Sequence, residues 1–181
     1  KKYTSKFSVG PMLRLAMKKN HLLELYTGYN DEKYYEDVYY ADEVRSSTGM
    51  SAYASWVWLF KKNSFLNLRY QYLNQDAEGD NWDNVNNSFS ANVVIPAGEK
   101  VKLQFTGEII KKDFKNTYSH AWVFSGGKRE DKIYNLTVGA AWEFYKNLSL
   151  VGQFTRIDNG SNIGIYDYTR NLYTTGLEYR F

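Results

Sequence analysis

Asn171-Leu-Tyr-Thr-Thr-Gly-Leu-Glu-Tyr-Arg-Phe181 is the stretch on which the fold turns. Counting back from Phe181, every second residue is Tyr179, Leu177, Thr175 and Tyr173, while Arg180, Glu178, Gly176 and Thr174 fall between them. A period of two sends these sets to opposite faces of a β-strand. The edge strand of a soluble sandwich and a strand with one side in lipid both satisfy this pattern, so the preceding sequence has to choose.

The same period recurs back along the chain. From Tyr3 to Met17, Phe7, Val9, Leu13 and Leu15 alternate with Lys6, Ser8, Gly10 and Arg14. Pro11 cannot donate to a ladder and predicts a bulge or an edge there. After a turn at Lys18-Lys19-Asn20, Leu23, Leu25, Thr27 and Tyr29 oppose Glu24, Tyr26 and Gly28. An acidic, tyrosine-rich connection over residues 30–48 leads to a strand with Ala52, Ala54, Trp56, Trp58 and Phe60 on one face. Lys61-Lys62-Asn63-Ser64 turns it back into Leu66, Leu68, Tyr70 and Tyr72, opposite Asn67, Arg69 and Gln71. Beyond a polar loop at 76–84, Phe89, Ala91, Val93 and Ile95 oppose Ser88, Ser90 and Asn92. The Pro96–Lys100 turn leads to Leu103, Phe105, Gly107 and Ile109 against Lys102, Gln104, Thr106 and Glu108. A third loop at 116–131 precedes Tyr134, Leu136, Val138, Trp142 and Phe144, which oppose Asn135, Thr137, Gly139 and Glu143. Lys146-Asn147 turns into Leu148, Leu150, Gly152 and Phe154, and a fourth loop over 158–170 leads to the C-terminal strand, about the ninth.

Two regularities choose between the readings. Short turns alternate with long loops, as in transmembrane barrels with short periplasmic turns and longer outer loops. The apolar faces carry rings toward the strand ends and Ala, Val or Leu between them, which predicts an aromatic belt of Trp56, Trp58, Phe60, Tyr70, Tyr72, Tyr134, Trp142, Phe144 and Tyr173 around a lipid band. Composition agrees. Aromatic residues are 18% of 181, with 17 tyrosines, yet mean hydropathy is −0.59, as expected when an apolar and a polar face are averaged. No run reaches the ~18 apolar residues of a membrane helix. The expected fold is all-β, an antiparallel up-and-down transmembrane β-barrel over residues 1–181. A last strand ending on the periplasmic side puts the first residue at the outer surface with an odd strand count, so the chain is expected to be the C-terminal part of a larger barrel. The sequence shows no signal peptide, which for an exported protein implies processing or a partial chain.

The polar faces define the candidate functional residues. Lys6, Arg14, Glu24, Arg69, Lys102, Glu108, Glu143, Glu178 and Arg180 are expected to line a charged, hydrated lumen; charges paired across a narrow, filled interior are the alternative. A net charge of +3 without a basic run gives no indication of nucleic acid. The absence of cysteine removes disulfides and thiolate metal sites. Asp76, Glu78, Asp80 and Asp83 could offer oxygen ligands to calcium, but the spacing of a calcium loop is missing, so no metal or cofactor is expected. Asp31, Glu32, Glu36 and Asp37 among Tyr34, Tyr35, Tyr39 and Tyr40 could stack on sugars or form an ordinary loop above the belt. A hydrolase needs a nucleophile beside a histidine base. The two histidines, His21 near a turn and His120 next to Ser119 in a loop, do not supply that arrangement, and no enzymatic activity is expected.

Thr174, Gly176, Tyr179 and Phe181 resemble the C-terminal insertion signal of outer-membrane barrels. Ser161-Asn-Ile-Gly-Ile-Tyr-Asp-Tyr-Thr-Arg-Asn171 with Gly176-Leu-Glu-Tyr-Arg-Phe181, and Lys128-Arg-Glu-Asp131 before a strand, resemble outer-membrane β-barrel porin families. Among these are barrels that follow tetratricopeptide repeats, of the surface lipoprotein assembly modifier and exopolysaccharide-export types. The resemblance implies a bacterial outer-membrane channel or export barrel of well over nine strands. Its surroundings would be lipid, lipopolysaccharide and the barrel-assembly machinery, with a periplasmic or lumen partner protein as a further option. Two other classes fit the residues: a surface-binding or anchoring barrel working through its loops, and a sleeve for a secretion or electron-transfer protein.

Overall fold

The computed structural model describes residues 3–35, 38–61, 64–119 and 127–180. They form one antiparallel sheet whose strands follow one another in chain order, except that the first two both pair with the third. Its strands are β1 (Thr4–Val9), β2 (Met12–Lys18), β3 (His21–Tyr34), β4 (Ser47–Lys61), β5 (Ser64–Ala77), β6 (Asn84–Pro96), β7 (Val101–Thr117), β8 (Lys128–Tyr145), β9 (Leu148–Ser161) and β10 (Tyr168–Tyr179). No α-helix occurs among the described residues; three short 3-10 turns, Ala41–Glu43, Asp80–Trp82 and Gly164–Tyr166, lie in loops. The sheet does not close on itself: β10 is one edge, and β1 with β2 is the other.

The count of ten against an expected nine has one cause. The long first strand is interrupted at Gly10-Pro11, and both halves pair with β3. Pro11 has no N–H to give, but its carbonyl still accepts from the Thr27 amide at 3.3 Å. The backbones approach so closely there that a Cβ on Gly10 would lie 2.0 Å from the Thr27 carbonyl oxygen. Strand ends also differ from the sequence reading. β7 and β8 extend well into the expected 116–131 loop, and β9 and β10 shorten the expected 158–170 loop. The tips of these hairpins are polar, but their backbone groups still complete ladder bonds, and a hydrophobic period does not report that. The Lys146-Asn147 turn holds two residues, with Asn147 at φ 61. Register shifts follow the same logic beside three short turns, at Ala16/Lys18, Leu59/Lys61 and Glu143/Tyr145.

Register places all side chains on two faces. One hydrogen-bonded row runs Arg14, Glu24, Ser55, Arg69, Ser90, Glu108, Asn135, Ile157, Arg170. It crosses β3 three residues after His21 but β9 nine residues after Leu148, so the row climbs steadily toward the loops. This stagger is the shear that tilted barrel strands require. The face holding this row is concave. Trp82, in the β5–β6 loop, and Tyr166, in the β9–β10 loop, have ring centroids 6.2 Å apart. Four strand spacings in a flat sheet would separate their hairpins by roughly 19 Å.

The convex face exposes Leu13, Leu25, Phe89, Ile109, Leu136, Val138, Leu150 and Leu177. The buried hydrophobic residues among those described are Phe114, Tyr118 and Ile163, all at the loop end. A soluble sandwich would instead bury one face of every strand.

Candidate functional site

The concave wall carries a connected array of charged and aromatic groups on β2–β5 and more dispersed polar groups on β6–β9. On β2–β5, Arg14 donates to Glu24 through Nε at 2.9 Å and Nη2 at 2.6 Å, and the Tyr53 hydroxyl donates to the same carboxylate at 2.7 Å. Tyr53 stacks on Tyr26, with centroids 5.2 Å apart, and carries the Arg69 guanidinium 3.6 Å from its ring centroid. Charge and ring stacking thus fix one continuous array across four strands. On β6–β9 the same rows hold mainly hydroxyls and amides, with the Glu108 carboxylate among them. Thr106 donates to Asn92 at 3.1 Å, Thr137 and Thr155 share a bond of 2.9 Å, and Asn135 donates to Glu108 at 2.8 Å.

The nine expected lumen residues all map to this face but do not converge. Arg14, Glu24, Arg69 and Glu108 share the row described above. Lys6 pairs with Glu32 at 3.4 Å near the loop end. Lys102, Glu143, Glu178 and Arg180 lie near the short turns, where Arg180 reaches Glu178 at 3.0 Å and Asn147 donates its amide to Glu143. Of the insertion-signal residues, Thr174 and Gly176 face the concave side and Tyr179 the convex; Phe181 is outside the described residues. Arg170 completes the shared row, although the sequence reading put it in a loop.

The expected belt residues occupy the convex face. Trp56, Trp58 and Phe60 form a run in which Trp58 lies 6.3 Å from Trp56 and 5.2 Å from Phe60. Trp142 and Phe144 make a similar pair at 5.8 Å. Tyr70, Tyr72 and Tyr134 are exposed farther toward the loops, and Tyr173 sits on Phe154 at 5.1 Å.

The loop end carries a constellation that periodicity does not predict. Arg129 and Asp131, two residues apart on β8, face the concave side and form a bidentate pair, with Nε–Oδ1 at 3.0 Å and Nη2–Oδ2 at 2.6 Å. Both are buried, with 8% and 2% of their side-chain surface exposed. Tyr166, Phe114 and Trp82 surround the guanidinium, at 3.3, 4.4 and 5.6 Å from their ring centroids. Asn81 ties the loops together, donating to Glu43 at 3.0 Å and Ser119 at 2.8 Å while accepting from the Ser119 amide at 3.0 Å. Trp82 Nε1 donates to Glu43 at 3.1 Å. The described parts of the four loops are thereby joined into one cap at the mouth. Burial there holds the Lys112 ammonium below the usual lysine range, with Arg129 adding to the effect. Burial, then the hydrogen bond with Tyr166, pushes the Tyr118 phenol up. The readable signal was slight: an Arg and an Asp at a spacing of two, on one face.

The remaining candidates have ordinary partners. Asp76 pairs with Lys115, and Asp83 accepts from the Ala77 amide and from Asn116. No group of side chains able to hold a metal ion occurs among the described residues. His21 stacks on Trp56 and Trp58 at the short-turn end. Ser119 donates to Asp42, and His120 lies outside the described residues. Asp31, Glu32 and Tyr34 belong to β3 rather than to a loop; Tyr39 and Tyr40 are exposed, and Glu36 and Asp37 lie outside the described residues.

No family model and no curated protein matches the chain. Among solved structures it is similar to OmpT, an outer membrane protein of Vibrio cholerae, with a TM-score of 0.60 and 13% identity. The match covers 96% of this chain and 55% of that one, so the chain spans about half the length of that protein. Similarity at this identity shows the fold: an antiparallel up-and-down sheet of the outer-membrane β-barrel type.

Proposed function

We propose that the chain forms part of the wall of a barrel in the bacterial outer membrane, through whose polar interior small hydrophilic solutes pass. The observation that carries this reading is the polar concave row from Arg14 to Arg170, backed by a convex face of exposed aliphatic and aromatic side chains. Unpaired edges at β10 and at β1–β2 would be costly in lipid, so the functional object is the barrel closed by further strands. The convex face meets lipid and lipopolysaccharide, and Thr174, Gly176, Tyr179 and Phe181 meet the assembly machinery. Polymer export, which the family resemblance implies, is a wider-bore form of the same reading. The reading assigns no catalytic step.

The test is single-channel conductance of the full-length product in a planar bilayer, with reversal potentials in a salt gradient. Discrete ohmic steps support an open pore. A folded barrel that never conducts removes the passive pore. The cap favours a second reading, because its described residues join around Arg129 and Asn81 into one connected outer surface. A silent barrel whose cap binds a surface ligand would be an anchor.

A further inference from the structure

A directly paired couple of isoleucines lies on the polar side of the wall. Ile110 and Ile133 are directly paired across β7 and β8, in the row Gln71, Ser88, Ile110, Ile133. The cap accounts for Phe114 and Ile163, which are buried, but Ile110 and Ile133 stay half-covered beneath it. In a water-filled interior such a pair leaves apolar area wet, which costs free energy. It forms the floor of a recess of about 210 Å³, lined also by Gln71, Leu73, Asn86, Ser88, Glu108 and Lys112. That is below the ~300–1,000 Å³ of drug-sized sites, and because the recess is partly open it holds the middle of a short extended solute rather than enclosing all of it.

The recess is polar at both ends and the signs are opposite. Lys112 lies one row toward the loops, between Asn86 and Asp131. The Asp131 carboxylate is held in bidentate fashion by Arg129, and among the described residues no carboxylate pairs with Lys112. Glu108 lies one row toward the short turns. It accepts only from the Asn135 amide, and no cation pairs with it among the described residues. The buried Asn86 Oδ1 has no donor. Lys112 and Glu108 sit four residues apart on one strand, roughly 13 Å between Cα atoms at the rise of a β-strand. An extended tripeptide spans roughly 10 Å, and the two side chains can close the remainder.

We propose that this recess binds a di- or tripeptide with free termini, its carboxylate on Lys112, its ammonium on Glu108 and an apolar side chain on Ile110 and Ile133. The proposal names the solute class of the interior and rests on the barrel reading above. The Asn86 amide, with Ser88 and Gln71 beside it, offers neutral hydrogen-bonding partners that suit any peptide backbone. A salt or an uncharged sugar satisfies one part of this site at most.

The test uses the full-length folded barrel and Ala-Leu-Ala, with N-acetyl-Ala-Leu-Ala-amide as the uncharged comparison. Calorimetric titration should show binding of the free peptide, with the capped one weaker by roughly tenfold or more, since each half-buried charge loses its partner. Lys112→Met and Glu108→Gln should each weaken Ala-Leu-Ala by roughly tenfold, and Lys112→Arg should stay within about threefold. Heat-modifiable mobility checks folding, and if Lys112→Met fails to fold, Glu108→Gln and the two peptides decide. Equal affinity for both peptides, variants that bind like the parent, or no binding to the folded parent would overturn the site. Conductance without peptide binding removes this site and leaves the pore; peptide binding without conductance removes the passive pore and leaves the site.

Discussion

The guanidinium of Arg129 lies 3.3 Å from the ring centroid of Tyr166, so a strand residue of β8 and a residue of the β9–β10 loop share one stack. Its two donors to Asp131 point the other way along the same strand. The stack joins a loop to the barrel wall, and the buried ion pair within β8 fixes the guanidinium that carries it.

Arg129→Met strands the buried Asp131 without a counter-ion and should cost about 3–5 kcal/mol, read as a lower denaturant midpoint of the reconstituted barrel. The double variant Arg129→Met, Asp131→Leu should cost less than Arg129→Met alone. A single variant as stable as the parent would mean that the pair is not buried in the folded protein.

Leu136 and Thr137 are sequence neighbours on opposite faces, Leu136 exposed on the convex side and Thr137 bonded to Thr155 on the concave side. Leu136→Arg should destabilise the barrel in lipid vesicles by about 2–4 kcal/mol. Thr137→Arg loses one hydrogen bond and should cost about 1 kcal/mol. The reverse order would exchange the two faces.

Gly10→Val should disrupt pairing at the strand interruption, because its Cβ would meet the Thr27 carbonyl oxygen at 2.0 Å and the Gly28 Cα at 2.4 Å. The expected cost is about 1–3 kcal/mol. Hydrogen exchange should show lost protection in β1 and β2 with β5–β9 unchanged; undiminished protection in β1 and β2 would count against this close approach.

Lys112 gives a pH-dependent prediction near the loop end of β7, level with the charged convex residues Lys111, Asp113 and Lys132 rather than with the apolar band. Its folded-state pKa is lowered, chiefly by burial and next by Arg129. The charging penalty is therefore fully present below the folded pKa and is relieved as pH rises toward the ordinary lysine value of 10.5. Lys112→Met should be more stable than the parent at neutral pH, with the difference shrinking in alkaline buffer. Unfolding midpoints across that range check both the sign and the trend.

Trp82 holds the β5–β6 loop to Glu43 and edge-on to Tyr166. On the pore reading, Trp82→Ala should loosen the cap and raise single-channel conductance while ion preference stays the same. Unchanged conductance would place the cap outside the ion path.

Alternation of the kind seen from Tyr173 to Phe181 was enough to assign most strands, their faces and the short turns, because a side-chain period of two is a local property of extended backbone. The belt residues and the polar lining followed from the same count. Pro11 even marked the interruption between β1 and β2, since a missing N–H is legible in any sequence. Strand ends were not legible: residues such as Lys128 and Tyr168 enter the ladder by pairing with partners that a local pattern does not contain. The cap and the recess belong wholly to tertiary structure. Register sets Ile110 against Ile133, curvature brings Trp82 to Tyr166, and burial makes Arg129 and Asp131 a pair, and each of these depends on strands or loops distant in the chain.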